Sequence, residues 1–147
     1  MGEAIVVGTD GSDTAKRAVE EAVRLAKALD GEIHLVSAYE PLRGAHVSGA
    51  PEGAARVFAP RPDSRVEATV EQAEASVRFA GVPVKTHTSQ KDPADALLAV
   101  AEEVGAHMIV VGNRGMHGAK RVLGSVPNTV SHRAHCNVLI VATDGVA

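Results

Sequence analysis

Short unbroken apolar runs alternate along this chain with segments whose apolar positions recur at steps of three and four. From Ala4 to Thr9 the run is rich in Val and Ile, the pattern of a strand covered on both faces. Ala15, Ala18, Ala22, Ala26 and Leu29 follow as a helical stripe, with Lys16, Arg17, Glu20, Arg24 and Lys27 mainly on the other face. Ser12 or Asp13 is expected to cap that helix, and Gly31 to stop it in the position just past the end. A second strand is expected from Glu32 to Tyr39. A second helix starts at Asp63, carries Val66, Val70, Ala73, Val77 and Ala80 as its stripe, and stops at Gly81.

From Val82 to Thr88 apolar and polar residues alternate, which predicts a third strand near a sheet edge. Asp92 followed by Pro93 is a helix start: a capping carboxylate, then proline in the first turn. Ala94, Leu97, Leu98, Ala101 and Val104 give this helix its stripe, and Gly105 ends it. His107 to Val111 reads as a fourth buried strand. Ser125 is expected to cap a last helix running to about Ala134, before a fifth strand from Asn137 to Ala142. Strands alternating with helices of this length imply right-handed crossovers and a parallel sheet with helices on both faces. The expectation is one α/β domain over residues 1–147. The segment from Glu40 to Pro62 breaks the rhythm with Pro41, Pro51, Pro60 and Pro62; it reads as a long loop.

Composition narrows the function. A length of 147 residues, 45% hydrophobic and 22% charged, fits a globular domain with a buried core. Only 2% of residues are aromatic, namely Tyr39, Phe58 and Phe79, so base stacking on an aromatic platform is not expected. The net charge of −3 comes with no basic block, which argues against nucleic acid as a partner. Cys136 is the sole cysteine, so no internal disulfide can form and a reducing compartment fits. The first residues lack the features of a signal peptide. No run approaches the 18 apolar residues of a membrane span, and a cytoplasmic location is expected.

Two segments carry candidate chemistry. The first is VVGNRGMHGAKRVLGSVPNTV, residues 110–130. It leaves a buried strand, holds Gly112, Gly115, Gly118 and Gly124, and reaches Ser125 at a helix start. Glycines let backbone N–H groups approach a ligand closely, and a helix N-terminus adds unpaired donors and partial positive charge. Arg114, Lys120 and Arg121 reinforce an anion site. The loop lacks the Walker ending of Gly-Lys-Ser/Thr, and its late place in the chain argues against a dinucleotide fingerprint. The second segment is Gly8-Thr9-Asp10-Gly11-Ser12. Asp10 there can serve a ribose, an adenine or a water-bound Mg²⁺; equally, it can help cap the first helix. His132 and His135 lie three apart with no cluster to complete a metal site. Cys136 reads as a buried structural thiol.

At these two segments, IVVGTDGS and GNRG followed by LGSVPNTVSHRAHCNVLIV, the chain resembles the universal stress protein family over nearly its whole length. The resemblance implies strand order 3-2-1-4-5, which brings both loops to the switch point between strands 1 and 4, where open α/β sheets place ligands. It implies ATP with Mg²⁺, cyclic AMP remaining open, in a stress-response regulatory module with slow or no hydrolysis. By that likeness Thr9 and Asp10 match the adenine and ribose side and Ala38 an adenine backbone contact. Gly112, Gly115, Gly124, Ser125 and Val126 match the ribose and phosphate contacts. Val111, Asn113, Arg114 and His117 join them by position at the strand end and in the loop. Eight residues separate Gly115 from Gly124, where the family's pattern usually has nine, so the phosphate position is left open.

Two other functions compete: an enzyme related to ATP pyrophosphatases, and a dimeric scaffold of the same fold that binds no nucleotide. The first needs a Ser-Gly-Gly start that TDGSD does not supply. The resemblance also implies a homodimer paired through the last strand, whose residues Asn137 to Ala142 carry no charge.

Overall fold

The computed structural model describes residues 2–39, 64–113, 116–117, 120–121 and 123–143. The expected loop over 40–62 and the helix start at Asp63 lie outside the described residues.

Strand β1 (Ala4–Gly8) leads into helix α1 (Asp13–Leu29), and β2 (Glu32–Ala38) follows. Next come α2 (Ser64–Phe79), β3 (Val84–Ser89), α3 (Pro93–Val104) and β4 (Met108–Gly112). The chain closes with two short strands, β5 (Met116–His117) and β6 (Lys120–Arg121), then α4 (Ser125–Arg133) and β7 (Asn137–Val141). The main sheet is parallel throughout, ordered β3-β2-β1-β4-β7. Counting its strands alone, that is 3-2-1-4-5, as the resemblance implies. The β5–β6 pair is a separate antiparallel ribbon, which the glycine-rich sequence does not announce.

Each face of the sheet has its own core. Ile5, Val7, Ile33 and Leu35 pack against Ala18, Val19, Ala22 and Ala26 of α1 and Val77 of α2. Val6, Val36, Ile109 and Val111 pack against Ala94, Leu97, Val100 and Ala101 of α3 and Val130 of α4. The small residues of α1 let it lie close to the sheet. Both side chains of successive strand residues are covered, which is why β1 and β4 read as continuous apolar runs. At the edge, β3 mixes half-buried positions with exposed Lys85, Thr86 and Thr88.

Helix ends follow local chemistry, with two corrections. Ser12 is the cap of α1, its Oγ accepting from the Ala15 amide at 3.1 Å. Asp92 caps α3, accepting from the Ala94 amide at 3.3 Å, with Pro93 in the first turn. The end of α1 differs from expectation. The left-handed residue is Asp30, at φ 53°, not Gly31. Gly31 serves a different purpose: a Cβ there would lie 2.5 Å from the Glu3 carbonyl oxygen, where the Glu32 amide bonds the same oxygen at 2.9 Å. The second correction is at α4, where Gly124 and not Ser125 holds the cap position.

Candidate functional site

Placing β4 beside β1 puts their carboxyl ends next to each other, Val7 level with Val110. On the other side of β1 the chain runs outward through β2 and β3. The connections leaving β1 and β4 therefore part at this point, on opposite faces of the sheet, and open a crevice between them. A cleft of ≈ 200 Å³ occupies it. Its walls come from six described elements and the turn after β1. Gly8, Thr9 and Asp10 stand at the β1 end, Val36 and Ala38 on β2, and Val111 and Gly112 on β4. Ser12 caps one wall, Thr14, Ala15 and Ala18 belong to α1, Pro93 and Leu97 to α3, and Val126 and Pro127 to α4.

Ala15, Ala18, Val36, Ala38 and Leu97 give the cleft an apolar lining. Such a lining accepts a weakly polar group. The cleft is smaller than the roughly 300–1,000 Å³ of sites that swallow a whole ligand, so it suits one end of a longer molecule.

Polar groups gather at the rim. The Thr9 amide is committed to Val36 O at 2.9 Å, which leaves the threonine side chain as its polar offering, 8% exposed. Asp10 Oδ1 accepts from the Ser12 amide at 2.8 Å, a local bond that fixes the carboxylate in the turn. Asp10 thus braces the helix start, and it also lines the cleft. Gly11, at φ 82°, supplies the left-handed step of the turn.

The first turn of α4 is the other rim feature. Gly124 at the cap has no side chain to offer the helix N–H groups, and no side-chain bond caps this end. Pro127 carries no N–H, and the Asn128 amide closes on Gly124 O at 3.0 Å. The first-turn donors outside the helical ladder are thus the amides of Ser125 and Val126. Val126 and Pro127 line the cleft, so this turn borders it with its partial positive charge.

Of the residues singled out from sequence, Thr9, Asp10, Ala38, Val111, Gly112 and Val126 line the cleft. Gly124 and Ser125 form the helix start beside it. Asn113 turns away. Its side chain is 3% exposed, and its Oδ1 accepts from the amide of Thr143 at 2.9 Å and from its Oγ1 at 2.5 Å. Asn113 thereby ties the exit of β4 to the exit of β7. Gly112 also has a packing reason to be glycine, because a Cβ there would strike Thr14 Cγ2. Arg114 and Gly115 lie outside the described residues, and His117 is placed only as part of β5. Thr14, Ala15, Ala18, Val36, Pro93, Leu97 and Pro127 also line the cleft, and the sequence marks none of them as a site residue; Ala15, Ala18 and Leu97 read as helix-stripe positions and Pro93 as a helix start. For the helix residues the signal was position: the first turns of helices that follow strands sit over the strands' carboxyl ends.

A larger cleft, ≈ 610 Å³, opens at the other end of the sheet, before β4 and β7, and includes His132, His135 and Cys136. His132 Nδ1 is engaged with Asn128 O at 2.8 Å, and burial pushes the Cys136 thiol up, which keeps it protonated and unreactive. Among the described residues, no three His, Cys, Asp or Glu side chains gather to hold a metal. No described helix is long and apolar enough to cross a membrane.

Comparison with known proteins identifies relatives of the whole chain. The sequence model of the Universal stress protein family matches residues 1–142. A universal stress protein of Mycobacterium tuberculosis is 37% identical over 148 residues, covering 95% of each chain. One from Methanocaldococcus jannaschii is 31% identical over 140 residues, covering 93% of this chain and 80% of the relative. Among solved structures, a universal stress protein in complex with cAMP is 33% identical, with a TM-score of 0.72 over 97% of this chain and 98% of that one.

Proposed function

The chain belongs to the universal stress protein family, and from that premise we propose that its cleft binds an adenine nucleotide, ATP in the first instance, as a regulatory module of the stress response. The observation that carries this reading is the meeting of three things at one switch point: an apolar slot, the Asp10 turn and the glycine-capped start of α4. The slot takes the adenine against Ala15, Val36, Ala38 and Leu97. Thr9 and Asp10 serve base and ribose. The amides of Ser125 and Val126, with Gly112 leaving room for backbone approach, receive the phosphates. The relative solved with cAMP supports the adenine and leaves cyclic AMP as a second ligand for the same slot. With Asp10 the acidic residue of the lining among the described residues, a Mg²⁺ ion would take its oxygens mainly from phosphates and water.

Titration calorimetry with ATP, ADP, AMP, cAMP and GTP tests the reading. Heat and a thermal shift with adenine nucleotides are expected; silence with all of them would leave the non-binding scaffold. Gly124→Val should weaken ATP by about tenfold or more through the added side chain at the phosphate approach. The fold should survive, since Gly124 sits at φ −60°, ψ 161°, a conformation valine adopts. No general base aimed at a γ-phosphate and no arginine finger are identifiable among the described residues. Hydrolysis faster than about 1 s⁻¹, the range of dedicated phosphoryl-transfer enzymes, would make the protein an enzyme instead.

The module is further proposed to act as a homodimer. Within the main sheet β7 pairs with β4 alone, and Val138, Leu139 and Ile140 are half-buried. An uncharged edge strand invites pairing with its own copy. Light scattering at micromolar concentration should give twice 15.2 kDa, and Ile140→Lys should return the monomer mass. A monomer at all concentrations would reject the dimer, and a dimer surviving Ile140→Lys would move its interface elsewhere.

A further inference from the structure

On the α3 face of the sheet, far from the nucleotide rim in chemistry, β2 and β3 share a short chain of ionisable groups. His34 of β2 is only 2% exposed, yet both of its ring nitrogens are used. Nε2 lies 2.9 Å from Glu32 Oε1, and Nδ1 lies 3.0 Å from His87 Nε2. The two rings sit 5.2 Å apart, tilted by 32°. Strand register explains the meeting. Glu32 and His34 are two apart on β2 and so share a face, while His87 stands level with Val36, one step further along that face.

We propose that Glu32, His34 and His87 form a proton-counting clasp that fastens the edge strand β3 to β2, holds with none or one added proton on the two imidazoles, and opens with the second. The proton arithmetic follows from the geometry. With Glu32 ionised and both rings neutral, His34 Nε2–H donates to the carboxylate. Its Nδ1 then carries a lone pair and accepts the N–H of His87 Nε2. One proton added at His87 Nδ1 leaves that bond intact. The shared hydrogen can also pass to His34 Nδ1, setting an imidazolium against the Glu32 carboxylate. Either way a single hydrogen lies between the rings. A second proton puts N–H on both facing nitrogens, with no lone pair between them and two cations in contact. The bond is lost and the rings repel.

The surrounding charges bear on the same step. Lys85 of β3 and Glu103 of α3 are the other charged groups acting on His87. Burial pushes the His87 imidazole below its ordinary range, the charge of His34 and then Lys85 adding to this, while Glu103 opposes it. The Glu32 carboxyl is held below the usual carboxylate range, chiefly by the His34 hydrogen bond, against its own burial. Both groups resist protonation in the folded state. For His87 the stability so gained is present above the unfolded imidazole value of about 6.5 and is lost as pH falls through the lowered folded value. The direction is therefore acid-weakened attachment of β3.

The test uses the full chain without nucleotide. Imidazole NMR signals of His34 and His87 are followed as pH is lowered, together with hydrogen exchange at the amides of β3 and β4, corrected for intrinsic rate. The expected result is coupled, two-step titration of the pair. Across the second step, exchange on β3 should rise by about tenfold or more relative to β4. In His87→Gln the amide nitrogen still donates to His34 but cannot titrate, so that rise should vanish. Independent titration of the two rings, β3 protection that stays level with β4, or a response retained in His87→Gln would each overturn the clasp.

Discussion

Ile109→Ala is expected to lower the unfolding free energy by about 2–5 kcal/mol, a large share of the roughly 5–15 kcal/mol that holds a domain of this kind together. Ile109 has no exposed surface. It lies on β4, level with Val6 on one side and Val138 on the other, and packs in the core beneath α3 and α4. Neighbours held in three strands and two helices cannot close over the vacated space, so the cost includes the cavity as well as the lost transfer energy. Urea denaturation measures it. Ile140→Ala, on the half-buried edge strand, should cost clearly less in the monomer. An Ile109→Ala loss under about 1 kcal/mol, below the usual span for such truncations, would mean that this position is not central.

Gly31→Ala should destabilise by about 2–3 kcal/mol, more than alanine at the helix-end glycines Gly81 and Gly105. The added carbon meets the Glu3 carbonyl at 2.5 Å, and that oxygen cannot yield without moving the start of β1. Gly81 and Gly105 form the contrast. Both have positive φ, 83° and 62°, and open space around a new Cβ, so alanine there costs only the left-handed strain of about 1–2 kcal/mol. Denaturant midpoints of the three variants give the ranking, and Gly31→Ala falling at or below the other two would show that β1 gives way easily.

Gly31 also shows where sequence reading stops. That a helix ends near residue 30 was legible, because the stripe ends there and a glycine follows. The reason for the glycine was not, since it depends on a strand start nearly 30 residues earlier in the chain. The pattern holds elsewhere. Ser12 and Asp92–Pro93 are local devices and read correctly. Gly124 rather than Ser125 holds the α4 cap, a one-residue difference that propensity cannot decide because serine and glycine are both favoured at caps. Asn113 looked like a loop ligand, but its partner Thr143 is 30 residues away. His34 and His87, 53 apart, gave no signal at all. The alternation of strands and helices announced a parallel sheet, whereas the order of its strands came through likeness to a family. Cleft-lining residues carried by short motifs, Thr9, Asp10 and Gly112, are visible in the sequence; the apolar lining is hidden among ordinary helix stripes.

The position of β1 at the middle of the sheet sets a timetable for the nascent chain. β1 is made first, and β2 and β3 can join one of its sides as they leave the ribosome. Its other side waits for β4, about a hundred residues later, which at roughly 5–20 residues per second is on the order of 5–20 s of synthesis. During that interval the backbone groups of Ile5, Val6 and Val7 on the β4 side have no strand to pair with, and half of the sheet's apolar surface lacks its helices. A chaperone that shields nascent chains would find its target there, and a slow stretch of translation before residue 108 would lengthen the exposure.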